Sequence, residues 1–409
     1  LAELQNLSSK LAISTNELAQ DLAALLQEPK STPGSRRRFQ PGDQVHQLIA
    51  KTWFQEAADC RELHELLVDL LSELTAVGDS SQKTEIAEAR RRLTQLSDSL
   101  EIFKALALED GSRLVMWSGL TSAGNVYLTG APLQIGELLA ERFYPGFRSI
   151  VFTSATLDSE DDFAWISQRL GLSNNPKISL MRLKQRSPFA LSEQLKVMVA
   201  AFLPPPNASN YAPRLAELLV RLRQAVRMST LVLCTSYQMI RDLEAALQQH
   251  GSFPGELLLQ RPDISAPRLL ARFRASRGSM LIGTESFWEG VDLPDDTLRL
   301  LVLTRLPFPV PDDPLEQVKS EQAEAIGQSP FMTVSLPAAV LKFRQALGRV
   351  IRSASDWGAV LVSDSRMSRK RYGAIFHDAA GVPVETCEHP STLLRDLTAW
   401  LYQFREREP

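Results

Sequence analysis

From Leu195 to the end of the chain, short apolar runs and amphipathic stretches alternate with a regularity that leaves few folds open. LKVMVAAFL, STLVLCTS, GELLLQ, MLIGT, LRLLVLTRL and WGAVLVSD read as strands, apolar throughout and bounded by turn residues. Between them stand helical patterns at Arg214 to Val226, Met239 to His250, RLLARFRAS, Leu315 to Ile326 and Leu336 to Ile351, with a last one at about Thr392 to Arg405. Strands without polar alternation are buried on both faces, and strand–helix alternation winds them in parallel with helices on each side. The expected fold is α/β, a doubly wound parallel sheet. LPPPNA, at Leu203 to Ala208, reads as a turn or linker beside the first strand.

The chain before this region has a different texture. From Leu1 to about Leu108 apolar residues recur at three-and-four spacing, as in Leu4, Leu7, Leu11 and Leu18, which predicts long helices joined by polar connections. KSTPGSRRRFQPGD, with Pro33, Gly34, Arg36, Arg37 and Arg38, reads as a mobile, solvated loop, contact with a phosphate backbone being the alternative. After Gly111, RLVMWSGL and NVYLTGA read as short strands, APLQIGELLAERF as a helix, and RSIVFTSATL as a buried strand ending in a polar loop. Three segments follow: 1–110, 111–190 and 191–409.

A length of 409 residues calls for two or three domains, and 44% hydrophobic with 23% charged residues describes a soluble globular protein. A net charge of -3 excludes a histone-like, charge-driven nucleic-acid binder while leaving room for a local basic groove. Cys60, Cys234 and Cys387 stand far apart and make no metal or disulfide framework, so a reducing, cytoplasmic setting is expected. No apolar run is long enough to span a bilayer, and no membrane partner is expected.

Parallel sheets gather ligands at the carboxyl ends of their strands. Four expected strand ends carry polar residues: TSATL at Thr153 to Leu157, CTSY at Cys234 to Tyr237, GTESFWEGVDLP at Gly283 to Pro294, and TRLPFP at Thr304 to Pro309. QALGRVIR, at Gln345 to Arg352, is read as helix. Spacings of three and four then turn Gln345, Gly348, Arg349 and Arg352 to one side and bury Ala346, Leu347, Val350 and Ile351 on the other. Two guanidinium groups beside a glycine suit a multiply charged oxyanion such as a triphosphate, although arginines so spaced are often only solvated.

TSATL, the strand ending in TSY, GTESFWEGVDLP followed by LPFPVPDDP, and QALGRVIRS together resemble motifs III, IV, V and VI of superfamily 2 helicases of the DinG/XPD type, and RMSRKRYGAIF resembles that group's C-terminal signature. The resemblance runs from about Gly130 to Phe376 and implies that 191–409 is the RecA-like second motor domain, 111–190 the end of the first, and 1–110 a helical arch-like domain. It implies ATP-dependent 5′ to 3′ movement on single-stranded DNA. Arg349, Arg352, Gln345 and Gly348 match motif VI, which reaches the γ-phosphate of ATP. Glu289, Gly290 and Asp292 match motif V, and Ser154 with Thr156 match motif III, which couples hydrolysis to strand movement. Thr235, Ser236, Tyr237, Thr284, Ser286, Trp288 and Arg305 would face DNA, with core packing as the competing account for Phe287 and Trp288.

No G-x-x-x-x-G-K-S/T and no acidic magnesium motif stands before TSATL. In this resemblance the chain is the downstream part of a longer enzyme, inactive alone as an ATPase, whose missing motor domain 1 is its partner. ATP and Mg2+ would act in the complete parent. Any iron–sulfur ligands would also lie upstream. A monomer is the expected state.

Overall fold

A computed structural model of the chain describes residues 36–38, 65, 87, 91, 114–120, 126–154, 156–157, 163–173, 175–176, 178–185, 188–251, 253–261, 264–276, 278–284, 287 and 298–405. It divides into two compact units. One comprises Leu1–Ile150, Ser167–Pro176 and Val310–Pro330; the other comprises Val151–Ile166, Lys177–Pro309 and Phe331–Pro409. Of the helices expected before Leu108, only Glu65, Ala87 and Arg91 are described, each as helix; the rest lie outside the described residues.

The first unit holds an antiparallel sheet of β1 (Arg36–Arg38), β2 (Leu114–Leu120) and β3 (Val126–Pro132), in that order. β2 and β3 pair along their whole length, from Leu114 opposite Pro132 to Leu120 opposite Val126, as a short connection between matched strands requires. The loop expected at Arg36–Arg38 is instead a strand, paired with Trp117 to Gly119. Alternation puts Arg36 and Arg38 on one face. There Arg36 reaches Asp313 at 2.7 Å and Arg38 reaches Glu321 at 2.6 Å, so two of the three arginines pair with acidic side chains distant in sequence. Asp313 also caps the helix Pro314–Ala325, its carboxylate accepting from Leu315 N at 3.0 Å.

The second unit is built on seven parallel strands in the order β10-β4-β9-β8-β5-β7-β6. They are β4 (Leu195–Ala200), β5 (Thr230–Leu233), β6 (Leu257–Leu259), β7 (Met280–Gly283), β8 (Leu300–Leu303), β9 (Gly358–Val362) and β10 (Val384–Cys387). Alternate residues of β4 serve different cores: Val197 and Val199 pack with α3 (Ala266–Ala275), α4 (Leu336–Leu347) and α5 (Gly373–Ala379). Met198 and Ala200 pack with α1 (Tyr211–Ala225), α2 (Tyr237–Gln248) and α6 (Pro390–Arg405). Three helices on each face of a parallel sheet make this the expected doubly wound, RecA-like fold. Strand β10 and the short helix α5 escaped the sequence reading; β10 is only half-apolar because it lies at the sheet's edge beside β4.

One expected strand does not form. The segment Ser149 to Ser154 has no regular structure and Val151 is 86% exposed. An apolar run becomes a buried strand only when a neighbour completes its ladder, and among the described residues none lies beside this one.

Candidate functional site

The arginine segment is a turn rather than the helix its spacing predicts. Helix α4 ends at Leu347 with Gly348 as its cap, and Arg349 N and Val350 N reach back only three residues, to Ala346 O and Leu347 O at 3.0 Å each. The expected sidedness nonetheless survives in burial: Ala346, Leu347, Val350 and Ile351 are buried, Gln345, Arg349 and Arg352 half-buried, and Gly348 exposed. A buried carboxylate, Asp356, ends the helical run by accepting from Arg352 N at 2.7 Å and Ser353 N at 2.8 Å. Gln194 then donates to the carbonyls of Ser353, Ala354 and Asp356 at 3.2, 3.0 and 2.7 Å. Arg352 therefore leaves a backbone whose N–H is held by Asp356, and the residues just after it are held by Gln194.

This turn lies at the amino edge of the sheet. Gln194 immediately precedes β4, and a Cβ on Gly358, the first residue of β9, would come within 2.6 Å of Val350 Cγ1 and 2.8 Å of Arg299 O. Gly358 is thus glycine because the turn rests on it. Gly348 differs: a Cβ there would meet only ordinary contacts at 3.6 Å, and its φ of -62° is helical. Nothing in the fold itself demands glycine at Gly348.

The polar strand ends collect at the opposite, carboxyl edge. Register aligns Gly283, Leu233, Leu303 and Val362 across β7, β5, β8 and β9, so Thr284, Cys234, Thr304 and Ser363 follow in one row. Three of the four expected strand-end motifs are brought together there. TSATL is not at a strand end, and its Ser154 and Thr156 hydroxyls lie 3.2 Å apart in a local turn. Within the row Ser236 caps α2 by accepting from Met239 N at 3.2 Å, Thr235 is half-buried, and Tyr237 is 42% exposed. The Arg305 guanidinium donates to Pro206 O at 2.7 Å, which gives the LPPPNA turn its anchor. Phe287 is buried, and a Cβ on Gly283 would strike its ring at 2.5 Å, so packing is the account that holds for this residue. Glu289, Gly290, Asp292, Ser286 and Trp288 lie outside the described residues.

Two features of this edge were missed by the sequence reading. Gln260, immediately after β6, accepts from Thr284 N at 2.6 Å and Thr284 Oγ1 at 2.9 Å, and donates to Tyr237 Oη at 3.0 Å. Applying the strand-end rule to GELLLQ would have found it. The other is Asp364, fully buried after β9, which accepts from Leu306 N at 2.9 Å and from Arg366 Nη2 at 2.6 Å. Burial opposes the Arg366 charge, but the Asp364 hydrogen bond and charge outweigh it and hold the guanidinium above its ordinary pKa. Arg366 also sits 5.6 Å from the Phe308 ring, tying the LPFP loop to β9. Cys234, in the same row, is fully buried, and burial pushes its thiol up to about 12.

Among the described residues no helix is long and apolar enough to cross a membrane, and no group of His, Cys, Asp and Glu is arranged to hold a metal ion. A family model described as the helicase C-terminal domain matches residues 219–381. The chain is 36% identical over 304 residues to the 3′-5′ exonuclease DinG of Bacillus subtilis, covering 71% of this chain and 32% of that protein. It is 38% identical over 240 residues to the ATP-dependent DNA helicase YoaA of Escherichia coli, covering 59% and 36%, and 35% identical over 293 residues to the ATP-dependent helicase DinG of Mycobacterium tuberculosis, covering 70% and 43%. It therefore spans well under half the length of each of these relatives. In fold it is similar to a solved XPD helicase, with a TM-score of 0.56 at 15% identity over 95% of this chain and 62% of that one. The S. tokodaii Xpd4 structure gives 0.53 at 14% identity over 94% and 70%. These matches show that the chain carries the helicase C-terminal domain, similar in sequence to that of DinG-type helicases and in fold to XPD.

Proposed function

We propose that the chain is the downstream part of an ATP-dependent DNA helicase that moves 5′ to 3′ along single-stranded DNA, carrying motifs III to VI. In this reading 1–110 is an arch-like helical domain, 111–190 the end of motor domain 1, and 191–409 motor domain 2. The observation that carries it is the turn from Gly348 to Arg352, its last N–H held by a buried carboxylate, cationic in side chains, and begun by a glycine the fold does not require. Such a turn suits close approach by phosphate oxygens.

Arg349 and Arg352 would meet the γ-phosphate, with Gln345 and Gly348 beside them and Glu289, Gly290 and Asp292 orienting the arginines or the nucleotide. ATP with Mg2+ would supply the phosphoryl group whose transfer drives the motor. The residues present fit one side of that nucleotide only, because the sequence contains no phosphate loop. The other side belongs to motor domain 1. At the carboxyl edge Thr235, Ser236, Tyr237, Thr284, Ser286, Trp288 and Arg305 would face single-stranded DNA, and Ser154 with Thr156 would couple the two activities.

Charge development on the γ-oxygens is stabilised only when both sides close on it. The chain alone should therefore bind single-stranded DNA yet show no DNA-stimulated ATP hydrolysis. Turnover by the purified chain would overturn this reading. The missing phosphate loop also favours a second reading, a non-catalytic nucleic-acid-binding subunit that completes its ATP site with a partner chain; an upstream reading frame continuous with Leu1 decides against it.

A further inference from the structure

We propose that Gln260 is a positioning residue that makes the Tyr237 hydroxyl a hydrogen-bond donor to a phosphate of single-stranded nucleic acid. This rests on the reading of the carboxyl-edge row as the nucleic-acid face.

A backbone N–H can only donate, so the 2.6 Å bond from Thr284 N places the carbonyl oxygen of the Gln260 amide toward Thr284. The Thr284 hydroxyl donates to that same oxygen at 2.9 Å. The amide nitrogen must then face Tyr237, and it donates to Oη at 3.0 Å. A tyrosine hydroxyl has one proton and can accept at its lone pairs. With Gln260 donating to it, its proton points away from the amide. Tyr237 is 42% exposed at the first turn of α2, whereas Gln260 and Thr284 are buried.

This changes the division of labour in the row. Both donors of Thr284, its N–H and its hydroxyl, are directed at Gln260, so Thr284 has no proton to offer a phosphate. Tyr237 has one, and the buried amide fixes its direction. A neutral hydroxyl aimed at backbone phosphate contributes affinity without reading sequence, which suits a protein that must travel along a strand.

The test is a double-mutant cycle on the 409-residue chain, with binding of a fluorescent single-stranded oligothymidylate read by anisotropy. Tyr237→Phe should weaken binding about tenfold, the scale of one hydrogen bond to a charged oxygen. Gln260→Met should weaken it by a similar factor, and should weaken it less than about twofold in the Tyr237→Phe background, because it acts through the hydroxyl. Gln260→Glu keeps an acceptor for Thr284 but draws the Tyr237 proton inward, so it too should bind weakly; it carries the test if Gln260→Met fails to unfold cooperatively. Gln260 variants that bind like the parent, or that lose the same factor in the Tyr237→Phe background, overturn the proposal. If the unaltered chain shows no binding, the nucleic-acid reading of this edge fails and the proposal falls with it.

Discussion

Gly348 and Gly358 are glycines for opposite reasons, and the difference can be measured. At Gly358 a methyl group would enter Val350 and the Arg299 carbonyl, so Gly358→Ala should destabilise the fold by about 1–3 kcal/mol in denaturant titrations. Gly348→Ala adds a methyl that makes only ordinary van der Waals contacts at a helical φ and should change stability by less than about 0.5 kcal/mol. Any loss of nucleotide turnover it causes in the parent is then a ligand effect. Ser236→Ala removes the N-cap of α2 and should cost about 1 kcal/mol whatever its effect on DNA binding. The partial exposure of Gln345, Arg349 and Arg352 and the burial of Val350 and Ile351 were legible because apolar spacing records which side chains turn inward. The end of the helix was not. It depends on Asp356 reaching back to Arg352 N and on Gln194, 159 to 162 residues distant from its three acceptors, and neither contact leaves a periodic trace.

Elements were legible where burial imposes a period. Every run read as a strand from Leu195 onward is one, and helices α1, α2, α3 and α6 stand where expected, because a doubly covered sheet forces continuous apolar runs between amphipathic helices. Phe343 in α4, fully buried edge-on against Phe376, should cost about 3–5 kcal/mol as Phe343→Ala, with loss of cooperative unfolding at elevated temperature. Two elements broke the pattern for the same physical reason: their partners are distant. Arg36–Arg38 is a strand because of β2 and because Asp313 and Glu321, 277 and 283 residues away, receive its charges. Arg38→Ala should nonetheless change stability by no more than about 1 kcal/mol, since Glu321 is solvent-exposed and the pair is screened. Val151 and its neighbours, apolar enough for a strand, lack an adjoining ladder among the described residues.

Across the second unit, the cationic turn and the polar row stand at opposite edges of one sheet, separated by roughly 15 Å of strand at about 3.3 Å per residue. Coupling between them would pass through β9, whose amino end meets the turn, and its neighbour β8; their carboxyl ends lead into Asp364 and Thr304. The same packing sets an alkaline limit. Burial raises the Cys234 thiol from 9.0 to about 12 and also raises Tyr211, so above pH ~9 the folded chain holds protons that the unfolded chain releases. Stability should be unaffected by these groups below that range and should fall as pH rises through it, read as a declining urea midpoint. The central claim, that Arg349 and Arg352 complete an ATP site from outside the phosphate loop, is tested most directly by DNA-stimulated ATP hydrolysis in the complete parent protein, with nucleotide binding measured on the same samples. Arg349→Ala and Arg352→Ala should each abolish turnover while leaving nucleotide binding largely intact; full turnover in both variants would contradict it.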